Sequence, residues 1–261
     1  MTLNALTDLD ELVHHSALPP NPLAVFAVGS VARGWANSRS DYDLNIVSKR
    51  PWRGKIVRTL VVPLRTPSIP TLELVINGRR WELKYWTDSQ VDEMMGKVTW
   101  DEFEEGSSSS KALVENEELF LERLTTCRPL SGDEWVETRR RELAATAFRA
   151  FVTTQSLAEA DASIEDALGQ VAAGDTASAV LSAHKALGHA VDALLESYGN
   201  YGSRTPKWRA RRFQETAPHE LTFEDYWHLE TMRGYDPESP AGWVHQVVAL
   251  CKQLALIVEI R

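Results

Sequence analysis

Apolar runs in the first half of the chain are short and bounded by proline, glycine and polar residues, whereas apolar residues in the second half recur at helical spacing. Short runs rich in β-branched and aromatic residues are typical of strands. They predict strands at Leu23 to Val28, Tyr42 to Val47, Ile56 to Val62, Thr71 to Ile76 and Arg80 to Trp86. The prolines around the third run leave open whether it is an extra strand or an irregular excursion. Asn77-Gly78 predicts a tight hairpin between the last two.

Helices are predicted beside these strands and throughout the second half. In the first half, they are predicted at Asp8 to His15, Ser89 to Lys97 and Lys111 to Leu124. The serines Ser107 to Ser110 predict a surface loop. In the second half, helices are predicted at Glu134 to Ala160, Ile164 to Ala173, Thr176 to Tyr198, Pro206 to Glu215, Phe223 to Arg233 and Gly242 to Ile260. No strand is predicted after Trp135. The pattern indicates an α+β domain over residues 1–130 and an all-α helical bundle over residues 131–261.

Composition places the chain among ordinary globular proteins. Its 261 residues are 43% hydrophobic and 25% charged, and this length is enough for two domains. The two cysteines, Cys127 and Cys251, have neither metal-ligand spacing nor a disulfide framework, so we expect a reducing cytoplasm. No stretch approaches the roughly 20 apolar residues of a membrane span, and we expect no membrane partner.

The charge of the chain bears on its partners. A net charge of −9 argues against a nucleic-acid partner, because phosphate binding usually requires a strongly basic face, although a local basic patch stays compatible with this total. The stretch from Asp88 to Glu122 holds eleven Asp or Glu residues and two lysines. Such a stretch is either a set of solvated helix faces or the lining of a pocket for a polycationic acceptor.

A glycine-serine turn followed by two closely spaced aspartates is the clearest chemical motif. Gly29-Ser30 comes directly after a predicted strand, where glycine allows close backbone approach to an anion and Ser30 is expected to cap a short helix that begins at Val31. Asp41 and Asp43 lie one residue apart on the next predicted strand and so share a face. Paired carboxylates with room for substrate phosphates suit Mg²⁺. The motif therefore predicts a phosphate cradle beside a metal site.

These residues resemble the signature of the polymerase-beta-like nucleotidyltransferases. The matching features are Gly29-Ser30, Asp41, Asp43 and the apolar Leu44, with Ala32-Arg33-Gly34 similar to the small-Arg-Gly segment of many members. The likeness covers about the first hundred residues, and the two-domain layout is most similar to the antibiotic nucleotidyltransferases of the aminoglycoside type. The resemblance implies a catalytic domain with a mixed sheet flanked by helices, and phosphate binding by Gly29, Ser30 and Arg33.

The resemblance also implies a third carboxylate on a later strand. Counting back from the Asn77-Gly78 turn places Glu73 opposite Glu82, an arrangement that requires a cation or a proton between them. Either Lys84 or a bound metal could supply that cation. The spacing found in the antibiotic enzymes selects Glu82 as the third metal ligand and catalytic acid, with Glu73 as the alternative.

Two features of the predicted bundle are candidates for binding the triphosphate. Val180, Leu187, Val191, Leu194 and Tyr198 form an apolar stripe, and the opposite face carries Lys185, Gly188, His189 and Asp192. In the enzymes that the chain resembles, the helical domain often supplies a lysine to the nucleotide, which indicates Lys185. The other candidate is the basic run Arg204 to Arg212, which includes Lys207. Thr205 and Pro206 suit the N-cap and first position of a helix, so these cations crowd a helix N-terminus where an anion would be favourable.

The sequence thus predicts an enzyme that transfers a nucleoside monophosphate, AMP from ATP in the first instance, to a hydroxyl of a small acceptor. Asp41 and Asp43 would hold one Mg²⁺, and a second Mg²⁺ or Glu82 as general base would activate the acceptor. One alternative is adenylylation of a protein or RNA, as in toxin-antitoxin relatives. Another is a nucleotide-binding module without catalysis. The acceptor, the preferred nucleotide and the oligomeric state are left open by the sequence.

Overall fold

The computed structural model describes residues 5–106, 112–202 and 205–260. These residues form two compact units, the first from 5–102 and 112–146 and the second from 103–106 and the described part of 147–260. The division into domains 1–130 and 131–261 stays a prediction. The loop predicted at Ser107 to Ser110 lies outside the described residues.

Six strands form one mixed sheet in the first unit. They are β1 (Ala24–Val28), β2 (Tyr42–Ser48), β3 (Arg58–Val61), β4 (Ser68–Ile76), β5 (Arg79–Thr87) and β6 (Arg128–Ser131). Their order across the sheet is β3-β4-β5-β2-β1-β6, with β2 and β5 parallel and the other neighbouring pairs antiparallel. The sheet is flanked by helices and followed by a helical region, which confirms the predicted α+β class. The run with the prolines around it forms an extra strand, β3.

The hairpin between β4 and β5 has the predicted register. Asn77 and Gly78 both have positive φ, 51° and 74°, as the twist of a two-residue hairpin turn requires. The turn fixes the pairs Val75 with Arg80, Leu74 with Trp81 and Glu73 with Glu82. The parallel pairing of β5 with β2 then sets Glu82 beside Asp43.

Helices cover the sheet of the first unit. The helices that the structure describes before Thr146 are α1 (Ala5–His14), α2 (Gly29–Ala32), α3 (Asp88–Gly96), α4 (Trp100–Glu104), α5 (Glu115–Thr126) and α6 (Asp133–Ala144), and the division between the two units falls within α4. Helix α5 packs through Phe120, whose ring lies 6.1 Å from that of Phe26 in β1 and 4.6 Å from that of Trp86 in β5. At its start the Glu117 carboxylate accepts the Val114 N–H (2.8 Å). Lys111, where this helix was predicted to begin, lies outside the described residues.

Strand β6 was not predicted from the sequence. It pairs with β1 through Arg128 and Pro129, and the register shifts between Val25 and Phe26. A four-residue strand that contains a proline shows no alternation long enough to detect. Its position depends on the neighbouring strand rather than on its own sequence.

The second unit is helical. Its elements are α7 (Phe148–Ala172), α8 (Thr176–Ser197), a 3₁₀ turn (Pro206–Trp208), α9 (Arg209–Thr216), α10 (Phe223–Glu230) and α11 (Pro240–Ile257). The predicted helices Glu134 to Ala160 and Ile164 to Ala173 are wrong in where they break. Helix α7 continues without a break through Ser163. The Ser163 hydroxyl donates to the Glu159 carbonyl (2.8 Å), which accommodates this polar residue inside the helix. The break falls near Thr146, whose hydroxyl donates to the Leu143 carbonyl at the end of α6 (2.7 Å).

The apolar stripe of α8 forms the centre of the second core. Val180, Leu187, Val191 and Leu194 are buried as predicted. Tyr198 is not part of that core, because it is 43% exposed and follows the last residue of the helix. Its hydroxyl instead lies 2.8 Å from His219 Nδ1 and donates to Glu220.

Candidate active site

The end of β1 brings the glycine turn against the second aspartate of the motif. Val28, the last residue of β1, pairs with Asp43 in β2, so the chain turns directly beside the Asp43 carboxylate. Gly29 has φ of +68°, and a Cβ there would lie 3.1 Å from Asp43 Oδ2. Only glycine combines this backbone conformation with so close an approach. The structure therefore joins the two halves of the motif at one point.

Ser30 does not cap the short helix, which corrects the prediction. Helix α2 begins at Gly29, its N-cap is Val28, and no side chain caps it. The carbonyl of Ser30 accepts the N–H of Trp35 (2.8 Å), which closes the turn after α2. The helix starts at Gly29, two residues earlier than a cap at Ser30 would place it.

The charges around Asp43 are mixed. Burial is the main cause that raises the pKa of Asp43, and the neighbouring Glu82 and Asp41 raise it further, while Arg123 and Lys84 act in the opposite direction. A carboxylate that is both desolvated and close to like charges is stabilised in its ionised form by an added cation. Asp43 is thus the member of the motif whose charge is least compensated.

Glu82 lies at the centre of a network of acids and cations. It is the register partner of Asp43 on one side and of Glu73 on the other. Arg58 Nη2 lies 2.8 Å from Glu82 Oε2, and Lys84 Nζ lies 3.2 Å from Glu82 Oε1. Arg58 Nε also lies 3.9 Å from Glu73 Oε1. Lys84 was expected as a neutraliser, whereas Arg58 was not, because nothing in the sequence shows that β3 joins this edge of the sheet.

Asp41 and Arg33 contact other parts of the first unit. Arg80 forms an ion pair with Asp41, one residue before β2 begins. The guanidinium of Arg33 lies over the ring of Trp35, 4.7 Å from its centroid, and Trp35 is buried. Arg33 and Trp35 are therefore close to the glycine turn in sequence but are packed on each other.

The carboxylates fit a divalent cation by their chemistry. Asp41, Asp43 and Glu82 offer only oxygen ligands, the kind that Mg²⁺ prefers, and Asp43 lacks a close ion-pair partner among the described residues. In the described part of the chain, no three Asp, Glu, His or Cys side chains are gathered closely enough to hold a metal ion. Asp41 is engaged in the ion pair with Arg80. The metal site stays a prediction.

Arg123 is a further cation near Asp43 that the sequence did not indicate. It lies in the last turn of α5, and its positive charge is the largest of the effects that lower the pKa of Asp43. Other charged residues of the acidic stretch are engaged in ion pairs: Asp88 and Asp92 with Arg139, and Glu117 with Lys97. At least these three acids therefore already have cationic partners within the first unit.

The triphosphate candidates of the second half lie in the second unit. Lys185 is 61% exposed and 3.9 Å from Glu159, and Lys207 lies 5.9 Å from the centroid of the Trp208 ring. Thr205 is the N-cap of the 3₁₀ turn and Pro206 its first residue, as predicted. Their role with the nucleotide stays a prediction.

The expectation of a polar outer face on α8 is wrong for Gly188 and Asp192, which are buried. Asp192 accepts hydrogen bonds from Arg209 Nε (3.0 Å) and Nη2 (2.6 Å) and from Arg212 Nη1 (2.8 Å). Gly188 leaves room for Arg209, because a Cβ there would lie 3.0 Å from its guanidinium nitrogens. Two cations of the basic run are thus used inside the second unit rather than at its surface.

Comparison with known proteins agrees with the resemblance seen in the motif. The family model described as the nucleotidyltransferase domain matches residues 11–118. No curated protein matches the sequence. Among solved structures, the fold is similar to a nucleotidyltransferase-like protein from Exiguobacterium sibiricum 255-15, with a TM-score of 0.52 and 10% identity over 97% of this chain and 74% of that one. In the described residues, no helix has the length and apolar character needed to cross a membrane. Residues 11–118, which contain every strand of the sheet except β6, thus carry the match to the nucleotidyltransferase domain.

Proposed function

We propose that this protein transfers a nucleoside monophosphate, AMP from ATP in the first instance, to a hydroxyl of a small-molecule acceptor, with release of pyrophosphate. The observation that supports it most directly is that Gly29, at the end of β1, lies against Asp43 on the central strand β2, which in turn pairs with Glu82 on β5. A turn that allows close backbone approach beside two carboxylates suits a substrate that brings both phosphates and a cation. The match of residues 11–118 to the nucleotidyltransferase domain supports the same reaction class.

Asp41, Asp43 and Glu82 would hold Mg²⁺, one ion or a pair, which when bound neutralises phosphate charge and polarises the α-phosphoryl group. Gly29, Ser30 and Arg33 bind the outer phosphates, for which the backbone N–H groups of the turn are suited. Lys185 and Lys207 are the further cations proposed for the triphosphate. Most of the rate enhancement then comes from positioning and charge stabilisation, as in other phosphoryl-transfer enzymes.

Glu82 accepts the proton of the acceptor hydroxyl while the oxygen attacks the α-phosphorus and pyrophosphate departs in line. Arg58 and Lys84 hold the Glu82 carboxylate in place from two sides. Asp43 lies next to it on the parallel strand. Glu73, at the solvent side of the same network, would assist only by holding Arg58.

The direct test is pyrophosphate release with each nucleoside triphosphate, Mg²⁺ and a panel of hydroxylated acceptors that includes aminoglycosides. We expect release that depends on both the acceptor and Mg²⁺, and a product of acceptor mass plus one nucleoside monophosphate. Label from ATP that appears on a protein or RNA, and on no small molecule, would instead support the macromolecular alternative. Binding of Mg-ATP with no transfer to any acceptor would support the non-catalytic one.

A further inference from the structure

Positive charge is concentrated in one segment of this acidic chain. Residues 44–72 contain six Lys or Arg residues and no Asp or Glu, although the net charge of the chain is −9. Four of the six are exposed and fall within seven residues: Lys49, Arg50, Arg53 and Lys55. Among the residues that the structure describes, none of these four side chains has an ion-pair partner, whereas the other two cations are paired with glutamates. The segment therefore presents uncompensated positive charge.

Three of these cations border an open groove of about 1060 Å³ formed by residues 19–23 and 48–54. The rest of its lining is mostly apolar and includes Pro19, Pro20, Pro22 and Pro51. Within the described chain no carboxylate lines it. Sites for small ligands usually occupy roughly 300–1,000 Å³, so this groove is at the upper end of that range. We refer to it as the basic groove.

The loop that carries the cations has a fixed conformation. The ring of Trp52 stacks on Tyr85 with 4.5 Å between centroids and an angle of 4°. Gly54 packs against the same indole so closely that a Cβ there would lie 2.0 Å from Trp52 Cζ2. The indole N–H donates to the Lys55 carbonyl (2.9 Å). The loop is thus tied to the sheet, and its cations are held in a defined arrangement rather than on a free tail.

The basic groove lies at the opposite end of β1 and β2 from the candidate active site. Leu23 N–H donates to the Val47 carbonyl (2.8 Å) at the groove end, whereas Val28 pairs with Asp43 at the other end. Strand β1 has five residues, which corresponds to a separation of about 17 Å. A ligand in the groove would therefore leave the carboxylates accessible.

We propose that the basic groove binds a single strand of nucleic acid, with its phosphates on the cations and its bases against the proline rings. Uncompensated cations are what phosphate neutralisation requires. Bases are exposed in a single strand and have flat faces that pack on apolar rings, whereas a duplex hides these faces. A lipid surface is flat on this scale and does not enter a concave groove. The acidic total of the chain therefore conceals a local basic site.

Fluorescence anisotropy with a labelled single-stranded RNA of about 12 nucleotides, within the site sizes of strand-binding folds, tests the proposal. The double variant Arg50→Ala, Arg53→Ala removes two phosphate contacts. The slope of log K against log salt should then fall by about 1.4 for a single strand, so that raising the salt from 50 to 200 mM weakens the wild type about sevenfold more than the variant. DNA of the same sequence distinguishes contacts to the sugar from contacts to phosphate and base.

The matched control is Arg233→Ala, Lys252→Ala, which changes the net charge equally at two exposed positions of the second unit. We expect it to bind RNA like the wild type, and Asp43→Asn to do so as well. Gly54→Ala keeps every charge but crowds Trp52, and should weaken binding by disturbing the loop. Circular dichroism and melting temperatures establish that each variant is folded.

Three outcomes would overturn the proposal. Equal losses of RNA affinity in the two double variants would show that binding depends only on the net charge of the chain. Inorganic polyphosphate that competes as well as the RNA, phosphate for phosphate, would show that bases make no contact. Vesicles with anionic lipids that bind the wild type but not Arg50→Ala, Arg53→Ala, when the RNA does not bind at all, would identify a membrane surface instead.

Discussion

Asp43 in the first unit and Asp192 in the second both lie among arginine or lysine side chains, but their surroundings differ. Asp192 is fully buried and receives three hydrogen bonds from Arg209 and Arg212. Asp43 has Glu82 and Asp41 as neighbours, and its pKa is raised by burial and by these like charges. The first arrangement is complete within the protein, whereas the second is improved by a cation from outside. This difference separates a structural ion pair from a candidate site better than the residue types do.

The largest expected effect is the loss of stability when the carboxylate of Asp192 is removed from its buried cluster. Asp192→Asn removes the buried carboxylate that pairs with two guanidinium groups and should lower the free energy of unfolding by about 3–5 kcal/mol. Urea denaturation followed by circular dichroism measures it. The control Asp161→Asn changes an exposed aspartate of α7 and should stay within about 0.5 kcal/mol. Similar stability of the two variants would mean that the buried cluster contributes nothing specific.

The same substitution at Asp43 should reduce activity without reducing stability. Asp43→Asn should lower the rate of pyrophosphate release by about 10²–10³-fold, since it removes a carboxylate proposed to hold the cation that stabilises the reacting phosphates. It should not lower the melting temperature near neutral pH, because a carboxyl whose folded pKa is raised destabilises the fold as pH rises above 3.8. The exposed control Asp10→Asn should leave both quantities unchanged. Full activity of Asp43→Asn, or its unfolding, would remove the distinction between the two aspartates.

The two glutamates of the hairpin sharpen the comparison within the first unit. Glu82→Gln should reduce turnover by about 10²-fold, the lower range for a general base, with little change in nucleotide affinity. Glu73→Gln removes only a 3.9 Å contact to Arg58 and should change turnover less than twofold, because an exposed ion pair contributes little. Steady-state kinetics with nucleotide binding by calorimetry separates the two effects. The reverse ranking would assign the third acid to Glu73.

The hairpin and the buried aspartate also show what the sequence can and cannot predict. The turn at Asn77-Gly78 fixes register locally, so the Glu73 to Glu82 pairing could be counted from it. The meeting of Asp43 with Glu82 depends on a parallel pairing between distant strands, and only the family resemblance indicated it. Both partners of the Asp192 cluster were noticed separately, as a polar helix face and a basic run. Nothing local in either segment brings them together, and Arg58 and Arg123 were missed for the same reason.

The smallest expected effect concerns an ion pair between these extremes, His184 with Glu230, 3.7 Å apart in the second unit. Glu230 raises the pKa of His184 above 6.5, so the stability from this histidine is complete below that pH and is lost as pH rises through the raised value. Burial raises the pKa of Glu230, but His184 and the other groups around this carboxylate together lower it by more, so that the net shift is downward from 4.5. The stability that the ionised Glu230 contributes is therefore lost as pH falls through this lowered pKa. His184→Gln should abolish the decline above pH 6.5, within about 1 kcal/mol for a partly exposed pair. Denaturation measured from pH 5 to 9 tests this, and an unchanged profile in His184→Gln would show that the pair does not titrate with folding.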